Sequence, residues 1–265
     1  GKRKMIFDTS KIYYFVGGGM EKVTQALIDG GHSIEKVFYK PTSGSSKSDA
    51  SLNIANIYNI PIQAINHRSE LIALGTELKG KFCFSAGFSF LFPKEFLNAT
   101  GLCVNIHGAI LPDYPGARTL NWVLENGETQ SGITIHIIDE GIDTGDIILQ
   151  ETFPISVFDT PRSLAAKTQA LEPALVLKAL ALLNSGEAQP IKQENINFND
   201  RRLENRTPKH SQLDIDYSLS ELYNQIRAAD PENYPSYFYI NGQKILLKIS
   251  RENKSENEPF SDLMI

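Results

Sequence analysis

The sequence has few cysteines, no long apolar run and no excess of positive charge, and each scarcity excludes a class of protein. Its two cysteines, Cys83 and Cys103, both stand inside apolar stretches, so we expect buried free thiols rather than a disulfide or a metal-binding pair. No apolar stretch approaches the roughly 18 residues of a membrane helix, and the polar start GKRKMIFDTS lacks the apolar centre of a signal peptide. These features predict a cytoplasmic protein without a membrane partner.

The charge balance is acidic, with 26 Lys and Arg against 31 Asp and Glu and a net charge of -5. A surface that binds nucleic acid normally needs a basic face, so we expect no nucleic-acid partner. A tRNA substrate is disfavoured for the same reason. The 265 residues, 41% of them hydrophobic, are enough for one large domain with a sizeable core and one small domain.

Strand and helix patterns alternate along the first two thirds of the chain. An apolar strand, Lys11 to Val16, runs into Gly17, Gly18 and Gly19 and then into a helical pattern. This rhythm predicts an α/β fold with a Rossmann-like, mostly parallel sheet and helices on both faces. The glycines lack the spacing of a dinucleotide fingerprint, so we interpret them as a phosphate site or simply as a tight turn.

Three polar residues with different chemistry follow two apolar runs. Asn105 and His107 come just after the first run and are two residues apart, so they lie on the same side of an extended chain. The second run ends in the turn-rich stretch DEGIDTGD, which presents Asp143. His136, between two isoleucines of that run, is interpreted as a structural histidine. Beyond this set no ligand spacing for a metal occurs, so no metal is expected.

A carboxamide, an imidazole and a carboxylate suit acyl transfer to an amine. The amine must lose a proton as it attacks, and the carbonyl oxygen must be stabilised as it gains negative charge. His107 can serve either need, and Asn105 offers a neutral N–H donor. Asp143 can hold the imidazole in one tautomer or order a water for proton transfer.

The stretch NIHGAILPDYPGA, followed by LNW and then by GITIHIIDEGIDTGDIILQ, resembles the 10-formyltetrahydrofolate-dependent formyltransferases. That family includes glycinamide ribonucleotide, methionyl-tRNA and nucleotide-sugar N-formyltransferases. The resemblance covers roughly residues 11–185 well, and it implies that Asn105, His107 and Asp143 are the catalytic set. It also implies 10-formyltetrahydrofolate as the co-substrate.

The resemblance further implies where the folate binds. In GFSFLFP, the main chain near Phe90, Leu91 and Phe92 would hydrogen-bond the pterin, and the loop that contains Ile138, Asp139 and Glu140 would close over it. Recognition through the backbone explains why the side chains of this segment can vary. The alternative is that these aromatic side chains simply fill a core below a strand end.

The chain after residue 188 decides between branches of the family. We predict a catalytic domain over residues 1–188, a linker over 189–211 and a small α+β subdomain over 212–265, with a hairpin across Asn241-Gly242. This tail is too short for a tRNA-binding barrel and resembles that of nucleotide-sugar N-formyltransferases. The aromatic run YPSYFY offers a surface on which two copies could pair as a homodimer.

We therefore predict transfer of a formyl group to the amine of a dTDP- or UDP-linked amino deoxysugar. The alternatives are an aminoacyl substrate, on tRNA or a carrier, and glycinamide ribonucleotide. The glycinamide ribonucleotide branch has Ser-Asn after its phosphate-binding glycines, where this chain has Met20 and Glu21. Because Glu21 repels a phosphate, this departure disfavours that branch.

Overall fold

A computed structural model describes residues 6–42, 48–194, 204–252 and 263. Part of the predicted linker, at 195–203, and most of the chain after residue 252 lie outside the described residues. No helix in the described ranges is both long and apolar enough to cross a bilayer.

One seven-stranded sheet and one separate hairpin contain the strands. In chain order the strands are β1 (Lys11–Val16), β2 (Ser33–Tyr39), β3 (Ile62–Ala64), β4 (Cys83–Ala86), β5 (Cys103–His107), β6 (Gln130–Ile137), β7 (Ile147–Pro154), β8 (Ser236–Ile240) and β9 (Gln243–Leu247). The order in the large sheet is β3-β2-β1-β4-β5-β6-β7, and β8 pairs with β9. The pairs among β1 to β5 are parallel, while β6 runs antiparallel to β5.

Helices connect most of the strands. They are α1 (Glu21–Asp29), α2 (Asp49–Ile57), α3 (Glu70–Glu77), α4 (Lys94–Ala99), α5 (Thr119–Glu125), α6 (Pro161–Ser185) and α7 (Leu219–Ala228). A 3-10 turn, Pro208–Ser211, precedes α7. The mostly parallel, Rossmann-like sheet expected from the alternating pattern is confirmed.

The alternation of side chains along β1 explains why helices cover both faces of this sheet. Tyr14 points into a core that also contains residues of α1, α2 and α6. Its neighbour Phe15 points the other way, into an aromatic core with residues of α3 and α4. Cys83 and Cys103 are buried free thiols in this second core, as expected from their apolar surroundings.

The structure differs from the sequence-based expectation in several elements. The sequence pattern predicts a helix over residues 116–125, but α5 begins at Thr119, because Gly116 and Arg118 have positive φ angles of 86° and 55°. The pattern also predicts a short strand over residues 213–215, where the structure has only a bridge between Gln212 and Tyr237. β7 and α4 were not predicted as separate elements.

The chain divides into two compact units that do not follow one another in sequence. The first comprises residues 1–107, 133–151 and 169–195, and the second comprises 108–132, 152–168 and 196–265. The division into consecutive domains at 188 and 211 stays a prediction. In the second unit Trp122 is fully buried beside Leu124 and Leu164, and the hairpin across Asn241-Gly242 is confirmed. Pairing of two copies stays a prediction.

Candidate active site

Strand β5 carries Asn105 and His107 on one face of the sheet. Their neighbour Ile106 points to the opposite face and is only 3% exposed, whereas both polar residues are partly exposed. In the sheet, Asn105 stands beside Ser85 of β4 and opposite His136 of β6. The alternation of side chains along a strand therefore places a carboxamide and an imidazole side by side, as the sequence predicted.

The loop after β6 brings the third polar residue to the same face. Asp143 has a φ of 55°, a left-handed conformation that Asp tolerates better than most residues. One carboxylate oxygen, Oδ2, lies 3.5 Å from Nδ1 of His107, and the two side chains are 16% and 11% exposed. Asn105, His107 and Asp143 thus meet at one small, half-buried place, although the acid is far from the other two in sequence.

His136 joins this group through its Nε2 atom. Nε2 lies 3.1 Å from Nδ2 of Asn105 and 3.5 Å from Oδ1 of Asp143. On the other side of the ring, Nδ1 lies 2.9 Å from the carbonyl oxygen of Ile137. Because a carbonyl only accepts, Nδ1 carries the proton, and Nε2 of the neutral ring can accept from the Asn105 amide.

Sequence reasoning gave His136 only a structural role. The ring is indeed buried, at 2% exposure, and its nitrogens are satisfied. What the sequence did not reveal is that it contacts two of the three predicted catalytic side chains. The available signal was strand pairing. If the two apolar runs pair with each other, a residue of the second run stands opposite Asn105, and in the structure that residue is His136.

The four side chains can support attack on an acyl carbon. The Asn105 amide has two N–H groups, so one can donate to His136 while the other faces a developing oxyanion. Nδ1 of His107 faces Asp143, and Nε2 is the ring nitrogen that can exchange a proton with a reactant.

The segment from Gly87 to Pro93 follows β4 and divides its side chains between core and surface. Phe92 is 7% exposed and packs against Phe15 and Phe96, so for this ring the core-filling alternative holds. Phe90 is half-buried and Leu91 is 47% exposed. The carbonyl of Leu91 accepts a hydrogen bond of 2.7 Å from Nε of Arg68, which leaves it a second lone pair.

The loop that carries Asp143 begins beside the same aromatic core. Ile138 packs against it, as do Phe88 and Phe90, so the two segments predicted to hold a folate border one apolar cluster. Asp139 braces the loop, since its Oδ1 accepts from the Gly141 N–H at 3.0 Å and from the Thr144 hydroxyl at 2.5 Å. Glu140 is exposed.

The glycines after β1 form a tight turn. A side chain at Gly17 would place its Cβ 1.8 Å from the carbonyl oxygen of Gly87, so only glycine fits where the two loops pass. The close approach of the Gly87 main chain therefore accounts for the glycine at position 17. In helix α6, Glu172 is 3% exposed, and burial raises the pKa of its carboxyl to about 7.

The sequence of residues 35–180 matches the family model described as formyl transferase. The chain belongs to the formyltransferase family. The match covers more than half of the 265 residues and includes Asn105, His107 and Asp143. The resemblance identified from the two motif stretches is confirmed at the level of the family.

Curated proteins that the chain matches include methionyl-tRNA formyltransferases. A methionyl-tRNA formyltransferase of a Synechococcus strain is 30% identical over 210 residues, which are 78% of this chain and 63% of that protein. The chain spans between 41% and 63% of the length of the curated relatives that it matches.

Solved structures match over more of their length. A 4-N formyltransferase from Francisella tularensis is 27% identical with a TM-score of 0.72, over 94% of this chain and 100% of that one. A sugar 3N-formyltransferase, solved in the presence of dTDP and 5-N-formyl-tetrahydrofolate, is 26% identical with a TM-score of 0.66, over 90% of this chain and 85% of that one.

Proposed function

We propose that this formyltransferase moves a formyl group from 10-formyltetrahydrofolate to the amine of a dTDP- or UDP-linked amino deoxysugar. The observation that carries the chemistry is the meeting of Asn105, His107 and Asp143 at one half-buried place. The likeness to a sugar 3N-formyltransferase supports the substrate, since it extends over 90% of the chain and therefore beyond residue 180, where the family match ends.

Each of the three side chains has a part in the reaction. The amine nitrogen attacks the formyl carbon, a new C–N bond forms, and the bond to the folate nitrogen breaks. Asn105 donates to the formyl oxygen as it becomes negative, and His107 takes up the amine proton and returns it to the departing nitrogen. Asp143 stabilises the imidazolium that exists between these two steps.

The residues expected around the folate fit a flat, partly apolar ring system. Phe90 and Leu91 offer exposed apolar surface, and main-chain groups of the same segment can bond the pterin edge. Ile138 adds an apolar contact from the second loop, beside Asp139 and Glu140. Phe92 contributes through its main chain, because its ring is committed to the core.

A direct assay tests this proposal. Purified protein is incubated with 10-formyltetrahydrofolate and a panel of dTDP- and UDP-linked sugars that carry a 3-amino or a 4-amino group, and the formamide product is detected by mass spectrometry. His107→Ala should lower turnover by about 10²- to 10⁴-fold without unfolding the chain. His32→Ala is the matched control, since His32 bonds the Thr9 carbonyl away from the site.

Two results would contradict the proposal in different ways. Near wild-type turnover in His107→Ala means that the catalytic assignment is wrong. Absence of product with every sugar, together with formylation of another amine, means that the acceptor is wrong while the formyl chemistry stands.

A second acceptor, the methionyl group of an initiator tRNA, is favoured by one observation, namely that methionyl-tRNA formyltransferases are among the curated relatives which the chain matches. The net charge of -5 counts against it, because tRNA binding needs a basic surface. A gel-shift and a formylation assay with initiator methionyl-tRNA, run beside the sugar panel, distinguish the two acceptors.

A further inference from the structure

The chain returns to the active-site loop after helix α6. Ile191 pairs with Ile147, the first residue of β7, through two main-chain hydrogen bonds of 2.8 Å each. This bridge fixes the position of the next residues of the chain. Two residues later, Gln193 is buried at 8% exposure, while its neighbours Lys192 and Glu194 are exposed.

The side-chain amide of Gln193 bonds the main chain of the loop that carries Asp143. Its Nε2 atom lies 2.9 Å from the carbonyl oxygen of Asp143 and 2.7 Å from that of Gly145. Because both carbonyls can only accept, the nitrogen rather than the oxygen of the amide must face them. One amide group supplies the two N–H donors that the two carbonyls need.

Two features of the loop between β6 and β7 explain why hydrogen bonds from Gln193 would stabilise it. Asp143 holds a left-handed conformation, with a φ of 55°, which costs free energy in a residue other than glycine, even in Asp, and is stabilised by surrounding contacts. At Gly145 the loop packs against the sheet so closely that an added Cβ would lie 1.6 Å from the carbonyl oxygen of Ile137. Main-chain carbonyls in such a closely packed place need donors, and the Gln193 amide supplies one to each of the two.

We propose that Gln193 is a positioning residue that ties down the main chain of Asp143 and Gly145 and so aims the Asp143 carboxylate at His107. The proposal rests on the proposed function, in which Asp143 acts on His107, and extends it to a residue that lies beyond the matched family segment, 35–180. Gln193 would affect the reaction through the loop, because its Nε2 bonds main-chain carbonyls of the loop.

The test uses two substitutions at one position. Gln193→Leu removes both donors at similar volume, and Gln193→Glu keeps the shape but sets a carboxylate against the two carbonyls. For both variants we expect kcat to fall roughly 10- to 100-fold while KM for each substrate stays within about twofold, because a misplaced catalytic group slows chemistry and leaves substrate binding intact. Lys192→Leu, a change at the exposed neighbour, should leave both constants unchanged.

A second measurement does not depend on substrate. Hydrogen–deuterium exchange of the peptide that covers residues 138–146 should become about tenfold faster in Gln193→Leu, while peptides from β1 keep their wild-type rate. If Gln193→Leu does not fold, Gln193→Glu is measured in its place, and circular dichroism establishes that the chosen variant is folded.

Three outcomes overturn the proposal. These are wild-type kcat in a folded variant, a rise in KM with unchanged kcat, and unchanged exchange of the loop peptide. These outcomes can be told apart from a failure of the proposed function, which would appear as no formylation of any amino sugar by the wild-type protein. In that case the exchange experiment alone still decides whether Gln193 holds the loop.

Discussion

At the scale of single residues, the orientation of the Asn105 amide depends on His136. The imidazole accepts from Nδ2 at 3.1 Å and is itself anchored to the Ile137 carbonyl at 2.9 Å. Without this acceptor the amide can rotate and present its oxygen, which cannot stabilise an oxyanion. Nε2 of the same ring also lies 3.5 Å from Oδ1 of Asp143, so His136 contacts two of the three predicted catalytic side chains and orients the amide of one.

Replacing His136 with Leu should therefore slow the reaction without weakening substrate binding. Loss of one buried hydrogen-bond partner costs about 1–3 kcal/mol, so we expect kcat to fall roughly tenfold or more. His136→Gln keeps an acceptor and should recover part of the rate. Steady-state kinetics of both variants, with His32→Leu as control, measure the effect, and equal kcat in His136→Leu and wild type would exclude this role.

The placement of Asn105 and His107 side by side was the part of the candidate site that the sequence predicted. The spacing of Asn105 and His107 on one strand is a local property of an extended chain, and so it could be read directly. His136 and Gln193 could not be found that way, because their partners are distant in sequence, 31 residues for the pair of Asn105 and His136 and 50 for Gln193 and Asp143.

At the scale of elements, the loop between β6 and β7 depends on a glycine. In Gly145→Ala the new Cβ would lie 1.6 Å from the carbonyl oxygen of Ile137, so the loop must move away from the sheet. Overpacking of this kind costs about 1–3 kcal/mol, and the movement displaces Asp143 as well. We expect a lower free energy of unfolding by that amount, measured by urea denaturation.

Gly108→Ala is the matched control, because an added Cβ there meets only the Cγ2 of Thr168, at an ordinary 3.5 Å. Its free energy of unfolding should stay within about 0.5 kcal/mol of the wild-type value. Equal stability of Gly145→Ala and Gly108→Ala would show that the loop adapts to a side chain.

The sequence predicts elements whose apolar residues recur at a regular spacing, but it does not predict boundaries that depend on an unusual backbone conformation. β1 has a clear apolar pattern and the hairpin β8–β9 has a turn signal, and both lie where the sequence predicts them. The late start of α5 depends on the left-handed Arg118, which no propensity indicates. β7 was missed because its residues alternate poorly.

At the scale of the whole molecule, the buried carboxyl of Glu172 makes stability depend on pH. Burial raises its pKa from 4.5 to about 7 in the folded chain. Between these values the folded protein keeps a proton that the unfolded chain releases, so stability falls as pH rises from about 4.5 to about 7 and then levels off. The slope is at most ~1.4 kcal/mol per pH unit, which amounts to a loss on the order of 3 kcal/mol.

Glu172→Gln cannot ionise and should remove this dependence. We expect the variant to gain stability relative to wild type by roughly 2–3 kcal/mol on going from pH 5 to pH 8, measured by urea denaturation at both values. Glu187→Gln, at an exposed position, should show the wild-type dependence. A parallel pH profile for Glu172→Gln and wild type would mean that Glu172 is ionised in the folded protein.

The sequence by itself determined the fold class, the family and the placement of Asn105 and His107 side by side on one strand, because strand alternation, turn residues and motif spacing are local properties of a chain. Only the tertiary structure decided which distant groups contact the predicted catalytic residues, namely His136 on the neighbouring strand and Gln193 at the loop, and that the carboxyl of Glu172 is buried in the core. The first contact depends on the register in which β5 and β6 pair, and the second depends on a later segment that packs against the loop. Both are set by packing within the whole unit rather than by any one stretch of residues.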